Sequence, residues 1–328
     1  MSILSAQFGI AKETTYATPV TVSRFFEFST ESIKQEFGRV ESKGIRAGAL
    51  SARSDRFQPY PKGPAGSVEF DVPTKGFGVW LEHMLGGTPT IGSVTDSNYT
   101  QTAALGSLYG KGLTAQVGRP LNPSGTVQPF TFSGGKVTGW NLSMEKEGLL
   151  TCGIDLDFAT GTTATGLATA SYPANFTNFS WVGASISIGG TNVCLNKFSV
   201  KVENAQDTEK YMLCGTSTKH EPTDNGLRMV SWEAEAEFAD LVQYNRVASA
   251  TRAGALAPII ATFDGPEIHA GATLPRLTVT MPAARFDGEV PTVGGTDSLL
   301  MSLSGVALDD GTATTALQVA YRTTDATP

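Results

Sequence analysis

Residues 227–250 read LRMVSWEAEAEFADLVQYNRVASA, and their period changes part-way along. Val230, Trp232, Ala234, Ala236 and Phe238 alternate with Ser231, Glu233, Glu235 and Glu237. Side chains alternate across a strand, so this is a strand with one apolar face and one face of carboxylates. After Phe238 the spacing of Leu241, Val242, Asn245 and Ala248 suggests a short helix, with Asp240 as N-cap or first-turn acid. Residues 66–87, GSVEFDVPTKGFGVWLEHMLGG, have the same shape. Val68, Phe70 and Val72 alternate with Ser67, Glu69 and Asp71; Pro73 and Thr74 break the strand. Phe77, Trp80, Leu81, Met84 and Leu85 then mark one helix face, closed by Gly86-Gly87. Two such units, one in each half, point to a duplicated module: residues 1–160 and 175–328, joined by a Thr/Ala/Gly-rich linker at 159–174.

Composition narrows the class. Of 328 residues, 36 are Gly and 17 Pro, and only 17% are charged. Few segments keep a 3.6-residue period, so the chain reads as mainly β with many turns. A net charge of −7 argues against a protein that grips nucleic acid through phosphates. The opening MSILSAQFGIAKETTY has neither a charged n-region nor a long apolar h-region and does not read as a signal peptide. No apolar run is long enough for a transmembrane helix, and no membrane partner is expected. Cys152, Cys194 and Cys214 are odd in number and lack metal spacing; they read as buried thiols in a reducing compartment.

Taken in order, residues 1–22 read as a polar arm and 24–37 as a first strand region. Residues 38–65 form a long stretch with no sustained period. It carries Arg39, Lys43, Arg46, Arg53, Arg56 and Lys62 against only Glu41 and Asp55. A loop of this length is usually functional or ordered by a partner, and its cations suit docking on an acidic surface of another subunit. Residues 99–104 and 113–117 are candidates to pair with each other. Residues 130–145 and 149–158 make the clearest hairpin, across Glu145-Lys146-Glu147-Gly148. Within it, FSGGKV at 132–137 reads as a turn between strands. A second hairpin, 184–188 with 193–203, turns at Gly189-Gly190, and 204–226 is a long polar connection with mixed charge. Strands follow at 258–263, 277–281, 298–306 and 316–321.

A search for catalytic chemistry finds no constellation. The histidines are His83, His220 and His269, without metal-binding spacing; His83 reads as a surface or boundary residue. There is no Gly-x-Ser-x-Gly elbow, no phosphate loop and no dinucleotide fingerprint. Asp155 and Asp157 share a strand face but have no partner group, which favours a solvated face over acid–base work. No cofactor and no metal are expected, and the chain does not read as an enzyme. What stands out is the acidic strand face: Glu233, Glu235 and Glu237 in one half, Glu69 and Asp71 in the other. A row of like charges is mildly destabilising. Repeated around a ring, it lines a negative surface past which a polyanion slides without sticking. Lys197 and Lys201 on a neighbouring strand would temper the repulsion.

In three places the chain resembles the tail tube (major tail) proteins of long-tailed, non-contractile bacteriophages. These are GIAKETTYATPVTVSR at 9–24 followed by EFSTESI at 27–33; NGLRMVSWEAEAEF at 225–238; and 277–310, with LTVTMPAARFDGEVP leading to GVALDD. The resemblance implies a β-sandwich or split barrel with short flanking helices. Such modules assemble into rings whose inner sheets join into one barrel, and the rings stack. A duplicated chain needs three copies for six modules, an unduplicated chain six, and the trimer is the favoured reading. On this reading Glu69, Asp71, Glu233, Glu235 and Glu237 are lumen-lining candidates. The cations of 38–65 make inter-subunit or inter-ring contacts. Phe77, Trp80, Leu81, Leu241 and Val242 hold the helices against the outer sheet. Other partners are further tail proteins (tape measure, terminator, distal tail), and DNA passes through without specific binding. The protein is then a virion component assembled in the host cytoplasm. Alternatives are a terminator or baseplate ring protein of the same fold and a carbohydrate-binding adhesive sandwich, which predicts exposed aromatics clustered on one face.

Overall fold

The computed structural model describes residues 3–92, 97–122, 124–216, 218–266, 273–288, 291–293, 299–311 and 315–328. His269 and Ser298, singled out in the sequence, lie outside the described residues. The first half carries β1 (Gln7–Lys12), β2 (Arg24–Phe26), β3 (Thr30–Glu31), β4 (Phe37–Glu41), β5 (Phe57–Pro61) and β6 (Ala65–Asp71). Then come helix α1 (Gly78–Leu85), β7 (Thr90–Ile91), β8 (Tyr99–Ala104), β9 (Leu113–Pro120), β10 (Val127–Glu145), β11 (Thr151–Asp157) and β12 (Thr160–Thr162). The second half carries β13 (Ala184–Ile188), β14 (Thr191–Val193), β15 (Leu195–Glu203), β16 (Met229–Glu237), helix α2 (Val242–Val247), β17 (Leu256–Asp264), β18 (Arg276–Phe286), β19 (Leu300–Leu308) and β20 (Gln318–Thr323). The fold is mainly β, built from open antiparallel sheets.

The ladders have an internal order. In the first half β1 pairs with β2 and β9, β10 with β9, β11 and β12, and β6 with β11 and β3. In the second, β13 pairs with β14 and β17, β18 with β17, β19 and β20, and β16 with β19 and β15. Each of these seven first-half pairings has its counterpart; β4–β5 and β7–β8 have none among the described residues. The registers correspond too. β10 exchanges β12 for β11 between Ser133 and Lys136, and β18 exchanges β20 for β19 between Thr280 and Ala283. Lys136 faces Asp157 and Ala283 faces Leu308, so Asp155 falls on Val306. Asp155 faces Ser67 and Val306 faces Ser231, which carries Glu69 onto Glu233 and Asp71 onto Glu235. Thr30 faces Glu69, and Ser199 faces Glu233. A second route runs through Phe132–Ala115–Ile10–Arg24 and Val279–Ala261–Ile186–Val193. It carries Arg24 onto Val193, the same displacement that takes Thr30 onto Ser199. The displacement from Glu69 to Glu233 likewise takes the first residue of α1 onto the first of α2.

Two ladders cross between the halves: β10 with β15, and β8 with β20. The first makes one continuous inner run, β3–β6–β11–β10–β15–β16–β19–β18. The outer strands cover its apolar face. β10 belongs to both layers because it bends at Ser133-Gly134-Gly135, where its register with β9 shifts. Gly134 has φ +68°, and a Cβ there would sit 2.6 Å from that of Ala159, so glycine is required. The stretch expected to be a turn is thus a bend inside one long strand.

Other expectations change. Residues 7–12, taken as part of an arm, form β1 between β2 and β9. β8 and β9 do not pair with each other; β8 joins β20, and β9 lies between β1 and β10. Residues 38–65 are not featureless: β4 and β5 make a two-stranded hairpin at the base of the arm. The hairpins at Glu145–Gly148 and Gly189-Gly190 form as expected, although the partner of β13 is β14 and not β15.

Alternating apolar side chains from both layers meet in one core that runs through both halves. Its first-half centre is Trp80 of α1, with ring centroids 5.7 Å from Phe26, 6.1 Å from Phe70 and 6.4 Å from Phe8. Burying rings of this size contributes roughly 1.5–3 kcal/mol each. In the second half Trp232 meets Phe286 edge-on at 4.8 Å. Phe77 and Leu81 are buried as expected. Leu241 and Val242 are not: they are 57% and 50% exposed, so α2 does not hold itself down as α1 does. The N-cap of α2 is Leu241 and not Asp240, which lies one residue earlier and accepts from Val242 N–H at 2.8 Å. Cys152 is buried, but Cys194 and Cys214 are exposed, against the reading of all three as buried thiols.

His83 also departs from expectation. It is 1% exposed, packed inside α1's buried surface, with Nδ1 3.3 Å from the Lys111 carbonyl. Burial pushes its imidazole down to about 4 from an ordinary 6.5. Between those values the unfolded chain binds a proton that the folded chain refuses. The stability held above about pH 6.5 is therefore lost as pH falls towards 4. The expected size is ~3 kcal/mol. Urea titrations across this range check it: His83→Gln should flatten the decline, and identical slopes in both proteins would refute the assignment.

Candidate functional site

The inner run of strands has a second, uncovered face. Alternation puts its polar residues there: Glu69 and Asp71 on β6, Thr151 and Asp155 on β11, and Asn141, Ser143 and Glu145 on β10. Lys197, Ser199, Lys201 and Glu203 continue it on β15, Ser231, Glu233, Glu235 and Glu237 on β16, and Ser302 and Ser304 on β19. Their registers place them on one side of the sheet. Asp71, Thr151, Ser143, Ser199, Glu233 and Ser304 form one row across neighbouring strands. Glu69, Gly153, Asn141, Lys201 and Ser231 form the next. With strands about 4.8 Å apart, each row is a continuous band. All five acidic candidates lie on this face, and two pairs of them, Glu69 with Glu233 and Asp71 with Glu235, take corresponding places in the two halves.

Carboxylates outnumber cations across it. Lys197 faces Glu235 in register and forms an ion pair with Glu145 at 3.2 Å. Lys201 pairs with Glu203 at 2.9 Å, and Asn196 donates to Glu235 at 3.3 Å. Both lysines lie on the strand next to the acidic row, as expected, but their ion pairs are with Glu145 and Glu203. Burial raises the Asp155 carboxyl, opposed by Lys201. Asp155, Asn141, Glu145 and Glu203 belong to the same face and were missed as part of it. Their signal was present as alternation in 139–145, 151–157 and 195–203, but which side each strand turns outward is set by pairing.

The cationic candidates are elsewhere. Arg39, Lys43, Arg46, Arg53 and Arg56 are exposed along the arm, and Lys62 is half-buried at its base. Arg53 bonds Asp55 at 3.0 Å, and Arg56 approaches it at 3.8 Å. The arm also exposes Phe37, Val40, Ile45, Leu50 and Phe57. These apolar side chains were overlooked because charge drew attention first. Exposed apolar groups gathered on one projection mark an interaction surface.

The corresponding connection in the second half behaves differently. Residues 204–228 fold back onto the first half. Lys219 Nζ meets Asp157 Oδ1 at 2.5 Å with both side chains buried, and Lys136 Nζ meets Glu221 Oε1 at 2.5 Å. Gly63 N–H donates to Tyr211 Oη at 3.0 Å. Burial raises the Asp157 carboxyl to about 6, with Lys219 opposing. So Asp155 and Asp157, near neighbours in sequence, have separate roles: one faces solvent and the other anchors a loop. On the same loop Cys214 Sγ lies 3.1 Å from His220 Nε2. Among the described residues no group of His, Cys, Asp and Glu is arranged to hold a metal. Trp80, Trp140 and Trp232 are buried, leaving only Trp181 partly exposed among the tryptophans.

An antiparallel sandwich with a whole inner-sheet face of alternating polar side chains and a projecting arm defines a structural β protein with surfaces for other subunits. The chain matches the model for the phage tail tube protein over residues 4–307 and belongs to that family. It is a structural component of the virion tail, and the family implies self-assembly and association with other tail proteins. No curated protein matches the chain. Among the described residues no helix is long and apolar enough to cross a membrane.

The ion pair under the loop is testable. Lys219→Met leaves Asp157 buried without its cation, at a cost of about 3–5 kcal/mol. A lowered urea midpoint and new proteolysis within 204–226 are expected; an unchanged midpoint would show that the pair does not anchor the loop.

Proposed function

We propose that the chain is a tandem duplication of one tail-tube module, residues 1–160 and 175–328, and that three copies close into a ring of six modules. Stacked rings form the tail tube of a long-tailed, non-contractile phage, through which double-stranded DNA leaves. The observation that supports this reading most is the recurrence of seven first-half ladders in the second half, in corresponding register. The β10–β15 ladder then serves as a module-to-module junction inside the chain. A closed ring repeats that junction and leaves no sheet edge unpaired.

On this reading the polar inner face lines the lumen. Glu69, Asp71, Glu233, Glu235 and Glu237 make it negative, which keeps phosphates from adhering within a Debye length of roughly 8 Å. The arm carries cations and exposed apolar groups to the next ring or subunit, where they meet carboxylates and apolar surface.

Native mass measurement of the smallest closed assembly, with electron microscopy of its symmetry, tests the stoichiometry. Three chains and pseudo-six-fold symmetry are expected; six chains would overturn the ring of three. Glu233→Lys, Glu235→Lys and Glu237→Lys together test the lumen. Tubes should still assemble, with genome delivery reduced about tenfold or more as DNA phosphates adhere to the wall. Unchanged infectivity of particles carrying the substituted tube would remove these residues from the lumen.

A further inference from the structure

β15 has a ladder on each side, β16 on one and β10 on the other. Its counterpart is the stretch around β3. There β6 occupies one side, and no ladder forms on the other among the described residues. Beside that edge runs a groove of about 780 Å³, lined by Phe26, Phe28, Glu31, Val117 and Arg119. The corresponding groove of the second half is walled by Met144, Glu145 and Lys146, where β10 arrives. The element that corresponds to this part of β10 is the end of β18. Gly139 faces Asp155 and Arg285 faces Val306, so Phe286 takes the place of Trp140 and Asp287 that of Asn141. The match keeps each side chain in its layer: Trp140 and Phe286 are buried, Asn141 and Asp287 exposed.

We infer that the edge at residues 30–33 receives the end of β18, residues 286–288, from a second copy of this chain. This rests on the ring assembly proposed above and names its joint. Trp140 faces Val202 and Asn141 faces Lys201 inside the chain. The transferred register sets Phe286 opposite Ile33 and Asp287 opposite Ser32. Backbone bonds already present fix how far the new ladder extends. Phe286 N–H donates to Ala255 O at 3.2 Å. Ile33 N–H donates to Glu31 Oε2 at 3.1 Å, and Arg119, held by Glu31 at 2.8 Å, donates to the Ile33 carbonyl. Phe286 N–H and both backbone groups of Ile33 are therefore already engaged at that level, and the joint runs on from Ser32 and Asp287. Ser32 N–H is turned to Ser67 O at 2.9 Å and Asp287 N–H to Ser304 O at 2.8 Å. Each points away from the joint, so the two residues meet as a non-hydrogen-bonded pair. Their Cα atoms then lie about 4.5 Å apart, a distance that a disulfide spans.

The test uses the full chain with Cys194→Ser and Cys214→Ser, to which Ser32→Cys and Asp287→Cys are added. Asn141→Cys with Lys201→Cys in the same background is the control for the in-chain joint. Mild oxidation of assembled protein should link separate chains through the first pair, in about ten times the yield of either single-cysteine variant. The control should close within one chain. Covalent species ending at three chains support the joint and the ring of three. A series reaching six supports the joint and overturns the ring of three. Closure of the control without links between chains overturns the joint, as does equal yield from a single-cysteine variant.

Discussion

The ladder between β10 and β15 carries the backbone hydrogen bonds that join the two halves of the inner sheet. Much else depends on it. It aligns the polar rows of β6, β11 and β10 with those of β15, β16 and β19, so that two separate faces become one. It also fixes which residues are buried. A slip of one residue would turn Trp140, Val200 and Val202 outward and Asn141 and Lys201 into the core. The apolar side of this ladder resists that slip, and the polar side is free to be selected for charge.

Charge on the polar face is therefore a choice that the fold permits but does not demand. Lys197 and Lys201 sit within reach of Glu145 and Glu203 and offset part of the repulsion. The carboxylates left over are exposed or half-buried, and pairs between groups open to solvent contribute little to stability. The correspondence of Glu69 with Glu233 and of Asp71 with Glu235 has no account in folding energetics alone. On the function proposed above, passage of a polyanion supplies one.

Much of this was legible in the sequence because alternation survives without knowledge of neighbours. Both strand–helix units, the 130–158 hairpin and the acidic faces follow from a period of two broken by Pro73 or changed at Phe238. Non-local facts were not legible. Nothing near β8 says that it pairs with β20, more than two hundred residues away. Gly134 reads as a turn until the partner exchange in β10 is seen. His83 looked peripheral because helix periodicity assigns it a polar side, whereas the segment that reaches Lys111 covers that side. The likeness of the two halves shows as two similar stretches in sequence; in the structure it lies in which strands pair, where residue identity is weak. The exposure of Leu241 and Val242 has the same origin: the spacing of a short helix gives its phase but not what packs over it.

The halves are also joined a second time, through β8 and β20 in the other layer. Packed sheets lie about 10 Å apart. Two attachments separated by that thickness act as a couple: rotation that closes one stretches the other. The angle between halves is thus held as a truss holds its corner, not as a hinge does. Each chain carries a fixed portion of curvature before meeting another, and bending of a larger structure must be taken up where chains or layers of chains touch.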